Sequence, residues 1–287
     1  MIESGLILVN KPEGITSFDI ILRIRKIIGV KKIGHSGTLD KEAEGLMLVC
    51  FGKATKMLNY LIGLDKRYIG RIKFGFQTTT DDRVGEIINR YNGDIFFEVI
   101  KEKLTKYIGK IEQTPPKYSS LHINGERAYK LAIKNENFCI PSRIIEIYEL
   151  NIIDYKNNEL TIDIKCSSGT YIRAIARDLG IDTGYFGYLS YLQRVEIGNY
   201  CLKDAYSIED IEKGNYCIIK PEDILYMFDK IELKENFFSH FKNGAKLSLN
   251  SFKQDILENK IYRVFCNNIF LGLIGYSNSI LKYEFVY

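Results

Sequence analysis

Residues 34–49 read GHSGTLDKEAEGLMLV. The apolar tail, continuing as GLMLVCFG over 45–52, predicts a buried strand. Ahead of it Asp40 stands on a glycine-containing turn, where the absent side chains leave room for its carboxylate to approach another molecule closely. Two readings of that carboxylate stay open at this point. It caps a turn, as Asp commonly does, or it does chemistry.

Working outward, LILV at 6–9 is a second short apolar run, ending at the turn-like NKPEG. Thr16 and Ser17 offer helix-capping hydroxyls, Ile20, Ile21, Ile24, Ile27 and Ile28 recur at helical spacing, and Gly29 offers a stop. RYIGRIKFG alternates apolar and basic residues as a half-buried strand does, after a short helix through Met57 to Leu61. The stretch from about 95 to 145 is expected to supply helical pieces and loops decorating a sheet. LTIDIKCSSG alternates again, and YIRAIARDLG is expected as a helix closed by Gly180. Beyond residue 228, runs such as YRVF and IFLGLIGY predict a small all-β appendage.

A chain of 287 residues with 46% hydrophobic and 26% charged residues is long enough for a large and a small globular unit. No apolar run has membrane-spanning length. The opening MIESGLILVNKPEG lacks a leader's basic start and cleavage site, which makes the cytoplasm the expected compartment. Six scattered cysteines without a C-x-x-C pair, and three dispersed histidines, point away from a zinc site and a disulfide framework. The net charge is +4, and the segment Thr16–Ser36 alone carries five Lys/Arg against Asp19, 5 − 1 = +4. A basic helix face of this kind suits either solvent or a polyanion.

CSSGTYIRAIARDLG places Arg173 in the first turn of a helix, where its planar fork could hold a carboxylate ionised or simply line a solvated face. Tyr68 opens a strand, a place for packing or for stacking on a base.

Six motifs occur here in the order found in the TruB family of tRNA pseudouridine synthases, and from about residue 5 to 200 the chain resembles that family. They are NKPEGITSFD, GHSGTLDKEAEGLMLV, DKRYIGRIKFG, FGFQTTTDDRVGEI, TPPKYSSLHINGERAYKLA and CSSGTYIRAIARDLG. The resemblance implies an α+β fold: a catalytic domain (residues 1–228, with an inserted segment at about 95–145) on a central mixed, mainly antiparallel sheet, and a small β-rich PUA-like domain over 229–287. It implies isomerisation of a flipped-out uridine to pseudouridine in the T-loop of tRNA (position 55). Asp40 is then the nucleophile, acting at C1′, at C6 or by loss of uracil to a glycal. Tyr68 contacts the base and moves protons, Arg173 pairs with Asp40, and Asp82 is the second acid of that network. Tyr171, Leu192 and His35 fall at substrate-contacting positions, and Lys11 supports the catalytic loop.

Arg23, Arg25, Lys31, Lys32 and Arg194 are expected along the RNA backbone. No metal, cofactor or protein partner is implied, so a monomer acting on the T-arm stem-loop is expected. A guide-RNA-dependent relative and a non-catalytic RNA-binding module are the competing readings. NGERAYKLA and the absence of basic terminal extensions favour the stand-alone branch, and the trio Asp40, Tyr68 and Arg173 favours turnover. Two departures stand out. Lys41 replaces the family's Pro after the catalytic Asp and is expected to loosen the loop slightly. Gln193 replaces an Arg and is expected to weaken RNA binding a little.

Overall fold

A computed structural model describes residues 4–123, 125–134, 136 and 138–287. Asn124 of the NGERAYKLA segment, and the first three residues of the opening read for a leader, lie outside the described residues.

The chain begins with β1 (Gly5–Lys11), α1 (Ser17–Ile28), β2 (Ile33–His35) and β3 (Glu44–Phe51). The two apolar runs pair antiparallel, with Leu8 opposite Leu48. They are continuous rather than alternating because both of their faces are covered. Ile7, Val9, Met47, Val49 and Phe51 enter one core, and Leu6, Leu8, Leu46, Leu48 and Cys50 enter another on the opposite side. Thr16 caps α1 through a capping box with Asp19, and Gly29 ends it in the left-handed region at φ 71°. Its isoleucines 20, 21 and 24 face the first core, leaving Arg23, Arg25 and Lys26 exposed.

Next come α2 (Leu58–Ile62), β4 (Lys66–Phe74) and a hairpin of β5 (Phe76–Thr78) with β6 (Ile87–Arg90). The segment from 95 to 145 holds α3 (Phe97–Leu104), β7 (Gly109–Gln113), the short pair β8 (His122–Ile123) and β9 (Glu126–Arg127), and α4 (Ala128–Ile133). Then follow β10 (Arg143–Lys156), β11 (Glu159–Cys166), α5 (Ile172–Thr183), β12 (Gly187–Ile197) and β13 (Tyr200–Cys201). The described residues form a nine-stranded sheet ordered β1-β3-β12-β4-β11-β10-β7, with β2 on β3 and β13 on β12. Only the short β12–β3 contact is parallel, so the sheet is mixed and mainly antiparallel.

Two expectations need correcting. The insertion does more than decorate the sheet, because its β7 is the edge strand beside β10. Gly180 does not close α5, which runs on to Thr183 and ends at Gly184 in the left-handed region. Gly180 serves close packing instead: a Cβ there would lie 2.1 Å from the Gly187 nitrogen.

After α6 (Ile208–Glu212) and α7 (Pro221–Ile224), the C-terminal region forms a second sheet. Its strands are β14 (Asp229–Glu232), β15 (Lys260–Cys266), β16 (Ile269–Ser277) and β17 (Ile280–Val286), in that order across the sheet. It is β-rich rather than all-β, since α8 (Phe238–Lys242) lies within it.

Candidate active site

The loop joining β2 to β3 carries Asp40, and four separate anchors hold its backbone. Lys11 is fully buried, and its ammonium donates to the carbonyls of Pro12 (2.9 Å), Lys41 (3.3 Å) and Ala43 (2.5 Å). The Gly14 N–H donates to the same Lys41 carbonyl at 2.9 Å, so fixed bonds restrain the backbone where the family has a proline ring. Ser17 Oγ accepts from Leu39 N–H (2.9 Å) and donates to Leu39 O (3.0 Å). Arg194 donates through Nε to Leu46 O (2.8 Å) and through Nη2 to Gly37 O (3.1 Å). Gly45, at φ 108°, permits this approach, since a Cβ would stand 2.3 Å from the Arg194 carbonyl.

At the loop's tip the Arg173 fork meets both oxygens of Asp40, Nε to Oδ2 at 2.9 Å and Nη2 to Oδ1 at 3.2 Å. Its remaining hydrogens reach Thr80 O (3.1 Å) and Tyr118 O (3.0 Å), and Asp82 Oδ2 lies 3.7 Å from Nη1. The Arg173 side chain is 6% exposed and that of Asp40 44%. The guanidinium is thus structural ground, while the carboxylate keeps one side open. A buried guanidinium needs such partners, and a bidentate pair aims the carboxylate. Asp82 is itself fixed by Thr80 Oγ1 (2.5 Å) and the Val84 N–H (3.1 Å).

Asp40 opens onto a cleft of about 440 Å³ whose lining includes Tyr68, Tyr171, Leu192, Arg143, Ser119 and Arg194. Tyr68 on β4 pairs in register with Arg194 on β12. Burial raises the phenol's pKa, and the adjacent Arg194 charge partly offsets this. Tyr171 is clamped through its backbone by the buried Gln113 amide, which accepts its N–H (2.8 Å) and donates to its carbonyl (3.1 Å). The Arg143 guanidinium lies 5.0 Å from the centre of the Tyr171 ring. Burial and the Arg194 charge lower the pKa of His35, whose Nδ1 accepts from the Gly37 N–H at 3.2 Å.

The structure therefore brings Asp40, Tyr68, Arg173, Tyr171 and Leu192 to one cleft, with Asp82 behind it and Lys11 beneath the loop. His35 lies on β2 at the head of the loop, outside the cleft lining. Arg23, Arg25, Lys31 and Lys32 are exposed. Arg194 is not placed to meet a phosphate backbone. It is 2% exposed, and its Nε and Nη2 donate to carbonyls of β3 and the loop, a correction to its expected role. Gln193 is also engaged internally, donating to Glu44 at 2.8 Å. Sequence reading missed Gln113, Arg143 and Lys66, all beside the cleft. Arg143 and Gln113 sit in the stretch read as decoration, and Lys66 looks like one basic residue among several in DKRYIGRIKFG. Among the described residues no group of His, Cys, Asp and Glu side chains is arranged to hold a metal ion.

The family model described as "TruB family pseudouridylate synthase (N terminal domain)" matches residues 25–172, just over half of the chain. Sheet, clamped carboxylate and family match together define a pseudouridine synthase. Among curated relatives, the "tRNA pseudouridine synthase B" of Fusobacterium nucleatum subsp. nucleatum is 39% identical over 288 residues, covering 99% of each chain. That of Caldanaerobacter subterraneus subsp. tengcongensis is 38% identical over 272 residues, 94% of each. The chain belongs to the TruB family. Of solved structures, a Cbf5-Nop10-Gar1 complex aligns with a TM-score of 0.74 at 18% identity, covering 99% of this chain and 85% of that one. An H/ACA RNP bound to a substrate RNA containing 2'-deoxyuridine aligns at 0.72 and 18%, covering 96% and 80%. At that identity the likeness is one of fold.

Proposed function

We propose that this protein isomerises uridine to pseudouridine in the T-loop of tRNA, at position 55, with Asp40 as the nucleophile. The observation that carries the reading is the two-point grip of buried Arg173 on a half-open carboxylate at a cleft lined by aromatic side chains. Relatives spanning nearly the whole chain bear the name tRNA pseudouridine synthase B, which favours tRNA as the substrate.

The target uridine leaves its stack to enter the cleft, at a cost of a few kcal/mol. Stacking on Tyr68 or Tyr171 offsets part of that cost. The N1–C1′ bond breaks, the uracil turns, a C5–C1′ bond forms, and the C5 proton departs. Asp40, aimed by the two-point grip of Arg173, assists the first event at the nucleotide. Burial favours the neutral Tyr68 phenol, which suits stacking. The phenol takes up the C5 proton only by giving its own O–H proton to N1 of the turned uracil, an exchange that the adjacent Arg194 charge eases. Asp82 steadies Arg173, Lys11 steadies the loop, and His35 contacts the T-loop from the loop's head. Exposed Arg23, Arg25, Lys31 and Lys32 follow the phosphates. We place the catalytic domain at 1–228 and a PUA-like RNA-binding domain at 229–287. The protein works in the cytoplasm as a monomer, without guide RNA, metal or cofactor.

The test is tritium release from C5-labelled uridine in a T-arm hairpin and in full-length tRNA, both in EDTA. The wild type is expected to act on both, and Asp40→Asn to bind the hairpin normally while losing turnover. Retention of more than a few per cent of the wild-type rate by Asp40→Asn removes the nucleophile assignment. Activity that appears only with a guide RNA or metal removes the stand-alone one.

A further inference from the structure

Arg177 stands one turn beyond Arg173 on α5, so both guanidiniums leave the helix on one face. Its Nη1 meets Asp81 Oδ2 at 3.0 Å, its Nη2 donates to Thr114 O at 2.8 Å, and its Nε donates to Asp178 Oδ1 at 2.7 Å. Two segments are thereby stapled twice. Arg173 holds the 78–82 turn at Thr80 O and Asp82, and Arg177 holds it at Asp81. Arg173 holds the 114–118 segment at Tyr118 O, and Arg177 holds it at Thr114 O. Pro115 and Pro116 lie between those two carbonyls and fix φ there, which stiffens the link from Thr114 to Tyr118.

Arg177 is absent from the lining of the Asp40 cleft, so any effect it has on chemistry passes through the segments it shares with Arg173. Asp81 is buried at φ 60°, in the left-handed region, and burial pushes its carboxyl up to about 6 against the pull of Arg177 and Arg173. Burial opposes that charge, and an ion pair of this kind is weak as a stabilising device. Its value lies in where it puts its neighbours.

We propose that Asp81 and Arg177 form a second positioning pair, fixing the Thr80 and Tyr118 carbonyls that keep Arg173 in plane with the Asp40 carboxylate. This rests on the reading of Asp40 as the reacting group. Arg177→Met is expected to lower the single-turnover rate on the T-arm hairpin by about 10- to 100-fold, as a small misplacement of reacting groups does. Hairpin affinity should stay at the wild-type value, and Arg177→Lys should recover part of the rate. Adding Asp81→Asn to Arg177→Met should bring little further loss, because the two act as one unit. Hydrogen exchange gives a readout that needs no RNA: amides of residues 36–43 should exchange faster in Arg177→Met, with β14–β17 unchanged. A wild-type rate in Arg177→Met, a loss expressed wholly as weaker RNA binding, or unaltered exchange at 36–43 overturns the proposal. An inactive wild type on the same hairpin counts against the tRNA reading alone, since the exchange measurement still judges the pair.

Discussion

The Arg173 guanidinium faces two carboxylates and two backbone carbonyls at once, and no ammonium can reproduce that planar fan. Arg173→Lys is therefore expected to lower kcat by about two orders of magnitude, with near-UV circular dichroism unchanged. A fully active lysine variant would reduce Arg173 to packing. Asp81 yields a prediction of opposite character. Its carboxyl is raised to about 6, so the folded protein binds that proton more tightly than the unfolded chain does. The charged form weakens the fold above about pH 6, and the penalty fades as pH falls through that value. Asp81→Asn removes this titration along with the Arg177 partner, so the sign at one pH does not test it. The wild type should instead gain melting temperature relative to Asp81→Asn as pH falls from about 6 toward the ordinary 3.8. A difference between the two that stays constant over that range contradicts the burial account. At this scale the sequence was legible where residue type and motif agreed, as at Asp40, Tyr68 and Arg173. Residue type alone does not separate adjacent Asp81 and Asp82; the motif resemblance singled out Asp82 and left Asp81 without a role. The left-handed backbone of Asp81 turns it to Arg177 and leaves Asp82 to Arg173.

The Asp40 loop shows how elements divide the work. β1 supplies Lys11, the head of α1 supplies Ser17, and β12 supplies Arg194, each bonded to loop backbone. Lys11→Met takes this donor from the Pro12 and Ala43 carbonyls, while Lys41 O keeps the Gly14 N–H, at about 1–3 kcal/mol for each carbonyl left buried and unpaired. It should lower both melting temperature and kcat. Burial brings the Lys11 amine down to about 8 despite the nearby Asp40 and Glu42. Above that pH the amine has two hydrogens for three carbonyls, so kcat should fall while linked stability rises, because the folded state favours the neutral amine. Rate and melting temperature measured from pH 7 to 9.5 should move in opposite directions. Parallel movement would mean that Lys11 does not govern the loop. Strands β1 and β3 were readable as apolar runs, and α1 from its cap and isoleucine spacing. β10 was not, because past Ile147 it is mostly exposed and carries little alternation to detect. The overrun of α5 was hidden because Gly180 looks like a stop, whereas its role is contact with Gly187 across the core.

At the level of the whole molecule, a boundary near residue 228 marks a change of sheet without a break in the apolar core. Phe265, Phe270, Leu273 and Phe285 of the second sheet share one buried cluster with Leu6, Leu8, Leu46 and Leu48, the rear face of β1 and β3. Polar ties flank it: Arg263 donates to the carbonyls of Glu222 and Phe228, Tyr60 to Glu284, and Lys56 to Val286 O. A linker of strand-like runs gives no hint of this in sequence, since a run buried against its own sheet and one buried against another look alike. The face of β1 and β3 opposite the Asp40-side core is therefore covered by the C-terminal region. The whole chain should unfold in one calorimetric transition, unlike two domains joined by a linker. Phe270 is central to the shared cluster, packed near Phe265, Phe285 and Tyr287. Phe270→Ala should cost about 3–5 kcal/mol and lower that single transition by several degrees. Amide exchange should quicken in β1 and β3 as well as in β15 and β16, because one core serves both sheets. Two resolved transitions, or faster exchange confined to the second sheet, would mean that the C-terminal region folds apart from the body carrying Asp40.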